Sequence, residues 1–236
     1  MALTDPIQLL IILVFLALFS IISYKKKLLD FEGVCIGNAI GLAAITFGPN
    51  PLMDLGIVVV FFVLGEIASN YPKKKHEQRN IWNVIGNSTP ALIMIILIPT
   101  FTQNPGTVFI LELGFFGAIS AALADTLSSE IGYYSKKPPI MITTFKKVPR
   151  GTDGGITLLG EIAALFGAII IAGMHFYIYN NYLAMAIITL AGLVGTNTDS
   201  VAGALFETKK ILNNTHVNML GSAAGAIFCL LLGLLI

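Results

Sequence analysis

Apolar residues gather along this chain in eight long windows, near 7–24, 31–47, 52–70, 82–101, 107–128, 156–178, 182–206 and 217–236. Each approaches the roughly 20 residues that a helix needs to cross a bilayer. Short polar turns such as Gly48-Pro49-Asn50-Pro51, Gln103-Asn104-Pro105-Gly106 and Asn180-Asn181 separate several of them and suit tight returns. The pattern predicts an all-α, polytopic integral membrane bundle of about eight transmembrane helices. It is expected to form one transmembrane domain over 1–236, with a catalytic loop at about 128–156. The first window has no Lys or Arg before it and is followed by Lys25, Lys26 and Lys27. That is the reverse of a cleavable secretory signal, so the window is expected to stay.

Composition agrees with the windows. The 236 residues are 56% hydrophobic and only 11% charged, where a soluble domain carries roughly 25% charged residues. Large soluble domains are therefore excluded. Cys35 and Cys229 both fall within apolar runs, which excludes a disulfide framework and a zinc site. The net charge of +1 hides a segregation: all 14 Lys and Arg lie at 25–27, 73–79, 136–150 and 209–210, each time after an odd-numbered window. Basic loops stay in the cytoplasm. The expected orientation therefore has four cytoplasmic basic loops and both termini outside, in the cytoplasmic membrane.

Ionisable residues inside spans are costly and usually face a bundle interior or a watery site. Asp54 and Glu112 fall near the outer ends of their windows, where they are expected to meet water as unspecialised interfacial residues. Glu66, Asp125, Glu161 and Asp199 each fall within one or two turns of the cytoplasmic end of a different helix, so one layer of carboxylates is expected. Arg79, Asn83 and Asn87 follow at i, i+4 and i+8, a polar stripe leading into the fourth window. A short echo supports repeated helical hairpins. Even windows begin Ile36-Gly37-Asn38, Ile85-Gly86-Asn87, Leu159-Gly160-Glu161 and Leu220-Gly221-Ser222, while odd ones end on Glu66, Asp125-Thr126 and Asp199-Ser200. Gly33, Gly37 and Gly41, and Gly221 and Gly225, are spaced for close helix contact.

The stretch 125–161 is the longest connection and the richest in both charge signs. Lys146, Lys147 and Arg150 lead into Gly151-Thr152-Asp153-Gly154-Gly155, and a helix is expected to open just after it. Glycines let backbone amides turn toward an anion, a helix start offers unpaired N–H groups, and neighbouring cations complete a phosphate cradle. Lys146, Arg150, Gly151, Thr152, Gly154 and Gly155 are thus the nucleotide-phosphate candidates. Phosphates usually bring Mg²⁺, which takes one or two carboxylates and keeps waters. Asp125 and Asp199 are the first choices, with Glu130 and Glu161 as further metal candidates and Glu207 as a secondary acid. His76, His175 and His216 lack partners at a recognised spacing, which argues against transition-metal or Ser-His-Asp chemistry.

Three ordered motifs carry a resemblance: Ala124-Asp125-Thr126-Leu127-Ser128-Ser129-Glu130-Ile131-Gly132, Arg150-Gly151-Thr152-Asp153-Gly154-Gly155-Ile156-Thr157 and Gly195-Thr196-Asn197-Thr198-Asp199-Ser200. Over nearly its whole length the chain resembles the integral-membrane family that includes plant phytyl-phosphate kinase and its prokaryotic and animal relatives. The resemblance implies a membrane enzyme that phosphorylates an isoprenoid monophosphate to its diphosphate with a nucleoside triphosphate, CTP being implied by similarity to phytol and dolichol kinases. Asp125, Asp199, Lys146 and Arg150 are the expected catalytic set. Arg79, Asn83, Asn87, Glu66 and Asn197 are the expected substrate contacts. The expected partners are the isoprenoid phosphate, the nucleotide and membrane lipid, with no nucleic acid. A lipid-phosphate cytidylyltransferase and a secondary transporter are the alternatives. The transporter is disfavoured because its site usually lies at the bilayer midplane.

Overall fold

The computed structural model describes residues 6–70 and 79–236. Eight α-helices follow in order: α1 Pro6–Lys25, α2 Phe31–Phe47, α3 Pro51–Ser69, α4 Ile81–Leu97, α5 Pro105–Gly132, α6 Leu158–Tyr179, α7 Tyr182–Ala202 and α8 Asn214–Gly233. Among the described residues, six helices, α3 to α8, are long and apolar enough to cross a membrane. The chain is an all-α polytopic membrane protein. The eight windows of the sequence each become a helix, but α2, at 17 residues, rises only about 25 Å and falls short of a hydrocarbon core of about 30 Å, whereas α4, of the same length, is carried on by a 3₁₀ turn at Ile98–Phe101. The loop carrying Lys73, Lys74, Lys75 and His76 lies outside the described residues.

Polar side chains set where the helices start. Asp30, Asn80, Asn104, Thr157, Asn181 and Asn213 each accept a hydrogen bond from a backbone N–H in the first turn that follows, satisfying donors that have no partner inside the helix. Pro51 and Pro105 stand at first helical positions, where a missing N–H costs nothing.

Helix α5 is the central post. Its apolar window is 78% buried, against 33–39% for the other five spans, and it packs against α3, α4, α6, α7 and α8. Phe115, Phe116, Leu113 and Leu123 are completely enclosed. Burial all round explains why its sequence is apolar on every face. By contrast, α1 leaves Leu10, Ile11, Val14 and Leu18 exposed, a surface matched to lipid tails.

Contact between α5, α7 and α8 is backbone to backbone. A Cβ added at Gly117 would stand 2.7 Å from the Gly225 carbonyl oxygen, and one at Gly195 would stand 2.2 Å from the Ala121 Cβ. Small residues let helices approach closely where lipid supplies no hydrophobic driving force. The spacing of Gly221 and Gly225 is used this way, whereas Gly37 has only Leu29 Cδ1 within reach, at 4.0 Å. The two cysteines are free thiols.

Between α5 and α6 the chain folds as a small hairpin. Strand β1, Ile140–Met141, pairs antiparallel with β2, Gly155–Ile156. After α7 the helix widens into one π turn at Gly203–Glu207, a distortion frequent at functional sites.

Replacing Gly117 with Leu forces overpacking, which costs about 1–3 kcal/mol. The expected result is a clear drop in Tm for Gly117→Leu in detergent and little change for Gly173→Ala, whose Cβ meets nothing within 4 Å.

Candidate functional site

Asp125 lies two turns before the end of α5, and Asp199 lies in the last turn of α7. Because Gly117, Gly195, Gly221 and Gly225 bring α5, α7 and α8 together, the two carboxyls come within hydrogen-bond reach of each other. Thr196, three residues before Asp199 and therefore on the same face of α7, donates its hydroxyl to Asp125 Oδ1 at 3.3 Å. Asn218 of α8, its amide nitrogen turned toward these acceptors, donates to Asp199 Oδ2 at 3.1 Å. Two carboxylates in contact in a low-dielectric setting repel strongly unless a cation or proton stands between them.

The glycine turn docks against this pair. Gly154 has φ +76°, and a Cβ on it would stand 2.5 Å from Ala204 Cβ and 2.6 Å from the Ser200 carbonyl oxygen. Only glycine allows both the left-handed backbone and the close approach. The docking carries Asp153 to Glu207 and Asp199, so Asp125, Asp199, Asp153 and Glu207 form one acidic group under the turn. Among the described residues, no group of three or more Asp, Glu, His or Cys side chains is arranged to hold a metal unaided. An open cleft begins at Glu207 and runs past Lys210, Asn213 and His216. Gly151 needs glycine only for its φ of +80°, since nothing approaches its Cβ position.

The cations of the loop lie at its rim. Lys146, Lys147 and Arg150 are exposed. Arg150 donates from Nη2 to the Ser135 carbonyl, closing the base of the hairpin. Thr152 donates its hydroxyl to the Pro149 carbonyl at 2.8 Å, and the Gly155 N–H donates to the Thr152 carbonyl at 2.9 Å. These bonds shape the turn and occupy the Gly155 N–H.

A second polar group stands at the same end of the bundle. Arg79 pairs through Nε with Glu66 Oε1 at 3.0 Å, their side chains 16% and 8% exposed, and donates from Nη2 to Ser69 Oγ at 3.2 Å. Ser69 also donates to Glu130 Oε1 at 3.4 Å. Burial pushes the Arg79 guanidinium below its ordinary pKa, with Glu66 and Glu130 opposing the shift. Arginine starts so far above neutrality that it keeps its charge. The stripe expected from spacing is formed differently. Asn80 caps α4 and Arg79 pairs in parallel with Leu29, so Arg79 precedes the helix and only Asn83 and Asn87 follow helical spacing.

Arg79, Asn83, Asn87 and Ser88 nevertheless line the polar end of one narrow cleft, whose walls are Phe15 and Phe19 of α1, Gly37 of α2 and Val58 and Phe62 of α3. The cleft reaches Leu55, about 16 Å along α3 from Glu66. Its polar end borders the aspartate pair through α8. Ser222 donates to the Asn87 carbonyl at 3.4 Å, and the neighbouring Gly221 lies against Asp199, a Cβ there standing 3.0 Å from the Asp199 Cβ.

The expected carboxylate layer is therefore not one site. Glu66 and Glu130 belong to the Arg79 group. Glu161 accepts from Asn197 Nδ2 at 3.4 Å, because Asn197 is turned about 100° from Thr196 around α7 and faces α6. Neither Glu130 nor Glu161 joins the Asp125–Asp199 pair, and Asn197 stands apart from the cleft. At the far end, the expectation of water-exposed Asp54 and Glu112 is overturned: they are 0% and 1% exposed, because α3, α5 and α6 close over both. Sequence reasoning missed Asn218 and Lys210. The signal for the first was its i, i+4 relation to Asn214 at the start of an apolar window.

A model of the integral membrane protein family DUF92 matches residues 14–226. An uncharacterised membrane protein of Methanocaldococcus jannaschii is 33% identical over 96% of this chain and 94% of its own. Protein VTE6, chloroplastic, of Arabidopsis thaliana is 30% identical over 75% of this chain and 57% of its own. Protein PGR of Arabidopsis thaliana is 28% identical over 86% and 81%. No solved structure matches.

Two substitutions separate the turn's two glycines. Gly154→Ala is expected to release the hairpin from α7 and speed limited proteolysis within residues 136–150 several-fold. Gly151→Ala carries only the left-handed strain of roughly 1 kcal/mol and is expected to leave cleavage within about twofold.

Proposed function

This chain belongs to the DUF92 family of integral membrane proteins, and from that premise we propose that it is a membrane-embedded phosphotransferase converting an isoprenoid monophosphate to its diphosphate, with CTP as the first donor to try. The observation that carries the reading is the adjacency of the Asp125–Asp199 pair, under the glycine turn, to an apolar cleft whose polar end bears Arg79, Asn83 and Asn87. A site with one cationic head position and an apolar channel suits an anionic head on a long hydrocarbon tail. The resemblance of the three motifs to the phytyl-phosphate kinase-like family supports the same reading.

In this reading the tail lies along the cleft between α1, α2, α3 and α4, and Arg79, with the side-chain amides of Asn83 and Asn87, holds the monophosphate. A phosphate monoester has its second pKa near 6, so at neutral pH it is largely dianionic and needs no strong base. One of its oxygens attacks the terminal phosphorus of the nucleotide, the bond from that phosphorus to the bridging oxygen breaks, and the nucleoside diphosphate leaves with the electron pair. Catalysis of such a transfer is mostly positioning and charge neutralisation. Lys146 and Arg150, on the exposed rim, reach the triphosphate, and Lys210 flanks the open cleft beside Glu207. Asp125 and Asp199 fit Mg²⁺, a hard ion content with two carboxylates plus phosphate oxygens and waters. Their contact otherwise leaves two like charges unrelieved. Bound there, Mg²⁺ supplies neutralisation of phosphate oxygens.

The test is incubation of purified protein with labelled CTP or ATP, Mg²⁺ and a short prenyl monophosphate, with products identified by mass. A prenyl diphosphate is the expected product. A cytidylylated lipid with pyrophosphate release, or no product, overturns the kinase reading. Asp125→Asn and Asp199→Asn are each expected to lower kcat about 10²–10³-fold while the protein stays folded in detergent. Lys146→Ala and Arg150→Ala are expected to raise the nucleotide KM with a smaller effect on kcat.

The cleft has its own readout. Gly37→Leu fills open space in its wall and is expected to reduce use of a twenty-carbon substrate about tenfold relative to a five-carbon one. Unchanged chain-length preference would move the tail elsewhere.

A further inference from the structure

The end of the bundle opposite the basic loops holds a buried polar group that phosphoryl transfer does not use. Glu112, in the second turn of α5, accepts from Asn50 Nδ2 at 3.0 Å on one oxygen and from the Tyr179 hydroxyl on the other. Asn50 Nδ2 also donates to the Tyr179 oxygen at 2.7 Å. Asp54, in the first turn of α3 and facing Glu112, accepts from the Asn50 N–H at 3.0 Å through Oδ2, while its buried Oδ1 has no hydrogen-bond partner among the described residues. His175, one turn before Tyr179 on the same face of α6, is 0% exposed. Its ring centroid is 4.7 Å from that of Tyr179, and neither of its nitrogens has a hydrogen-bond partner among the described residues.

The donor inventory says what is missing. The single Tyr179 proton and both Asn50 amide protons are already directed at acceptors, and Glu112 accepts on both oxygens, the pattern of an ionised carboxylate. Among the described residues its charge has no cationic counterpart. All 14 Lys and Arg lie at 25–27, 73–79, 136–150 and 209–210, and Glu112 is about 20 Å along α5 from Asp125 at the basic end. An unpaired buried charge is expensive, and a cation drawn from solution relieves it. The ligands on hand are oxygens, and no three Asp, Glu, His or Cys among the described residues are grouped for a metal such as zinc.

We propose that Asp54, Glu112 and Tyr179 hold a small monovalent cation of the size of Na⁺ at this end of the bundle, with His175 packed against the Tyr179 ring and positioning it. The cation neutralises the carboxylates and ties the start of α3 to α5 and to the end of α6. The site is independent of the phosphotransferase reading, and its test does not involve activity.

The experiment measures Tm of the purified chain in detergent at one pH and one ionic strength, with N-methyl-D-glucamine chloride replaced stepwise by NaCl. A saturable upward shift is expected in the wild type, and loss of that shift in Asp54→Asn and Glu112→Gln. His175→Ala is expected to need more Na⁺ for the same shift. Equal Tm in both salts, or an unaltered Na⁺ response in Asp54→Asn, overturns the proposal. So does stability that follows pH and ignores Na⁺, because a proton is then the occupant. Should the variants not fold, ²³Na line broadening on the wild-type protein decides the matter: saturable broadening competed by Li⁺ supports the site, and none overturns it.

Discussion

A carboxylate inside a membrane has to be matched by something, and the described parts of this protein are arranged around the ways it is done. Desolvation is severe where the dielectric constant is low. Glu66 is matched by Arg79 at 3.0 Å and Glu161 by the amide of Asn197, while Glu112 takes hydrogen bonds, but no countercharge, from Asn50 and Tyr179. The Asp125–Asp199 pair is different, since its neighbours Asp153 and Glu207 add like charge. Thr196 and Asn218 supply hydrogen bonds without charge. A group so unbalanced is suited to a guest that is itself charged.

What allows the imbalance is the close packing beneath it. Gly117, Gly195, Gly221 and Gly225 remove the side chains that would hold α5, α7 and α8 apart, and the π turn at Gly203–Glu207 gives the glycine turn a surface to dock on. The stability of the bundle and the placing of the aspartate pair thus depend on the same contacts. The looser helices α1 and α2 have another part: they wall the apolar cleft and leave much of α1's surface to lipid.

The two ends of the bundle solve the problem of buried acid differently. The basic end brings Arg79 and a loop rich in cations near its acids. The opposite end has no Lys or Arg in its connections and draws on the Asn50 amide and the Tyr179 phenol instead. That contrast is written in the distribution of a single residue class along the chain.

The sequence by itself determined eight helices within a few residues of their observed ends and the segregation of charge, and it singled out Asp125, Asp199 and the Gly151–Gly155 turn, which the fold brings together. Each of these rests on a property carried by one segment alone: apolar length, local charge, or the backbone freedom of glycine. It misjudged what depends on rotation and on neighbours from distant segments. Asp54 and Glu112 lie near helix ends, and only the closing of α3, α5 and α6 over them decided that they are buried. The four-carboxylate layer divided because 100° of turn separates Thr196 from Asn197, and because Glu66 met Arg79 across a gap that no periodicity in either segment encodes. Which acids share a site is a property of helix rotation within the packed bundle, and only the tertiary structure could decide it.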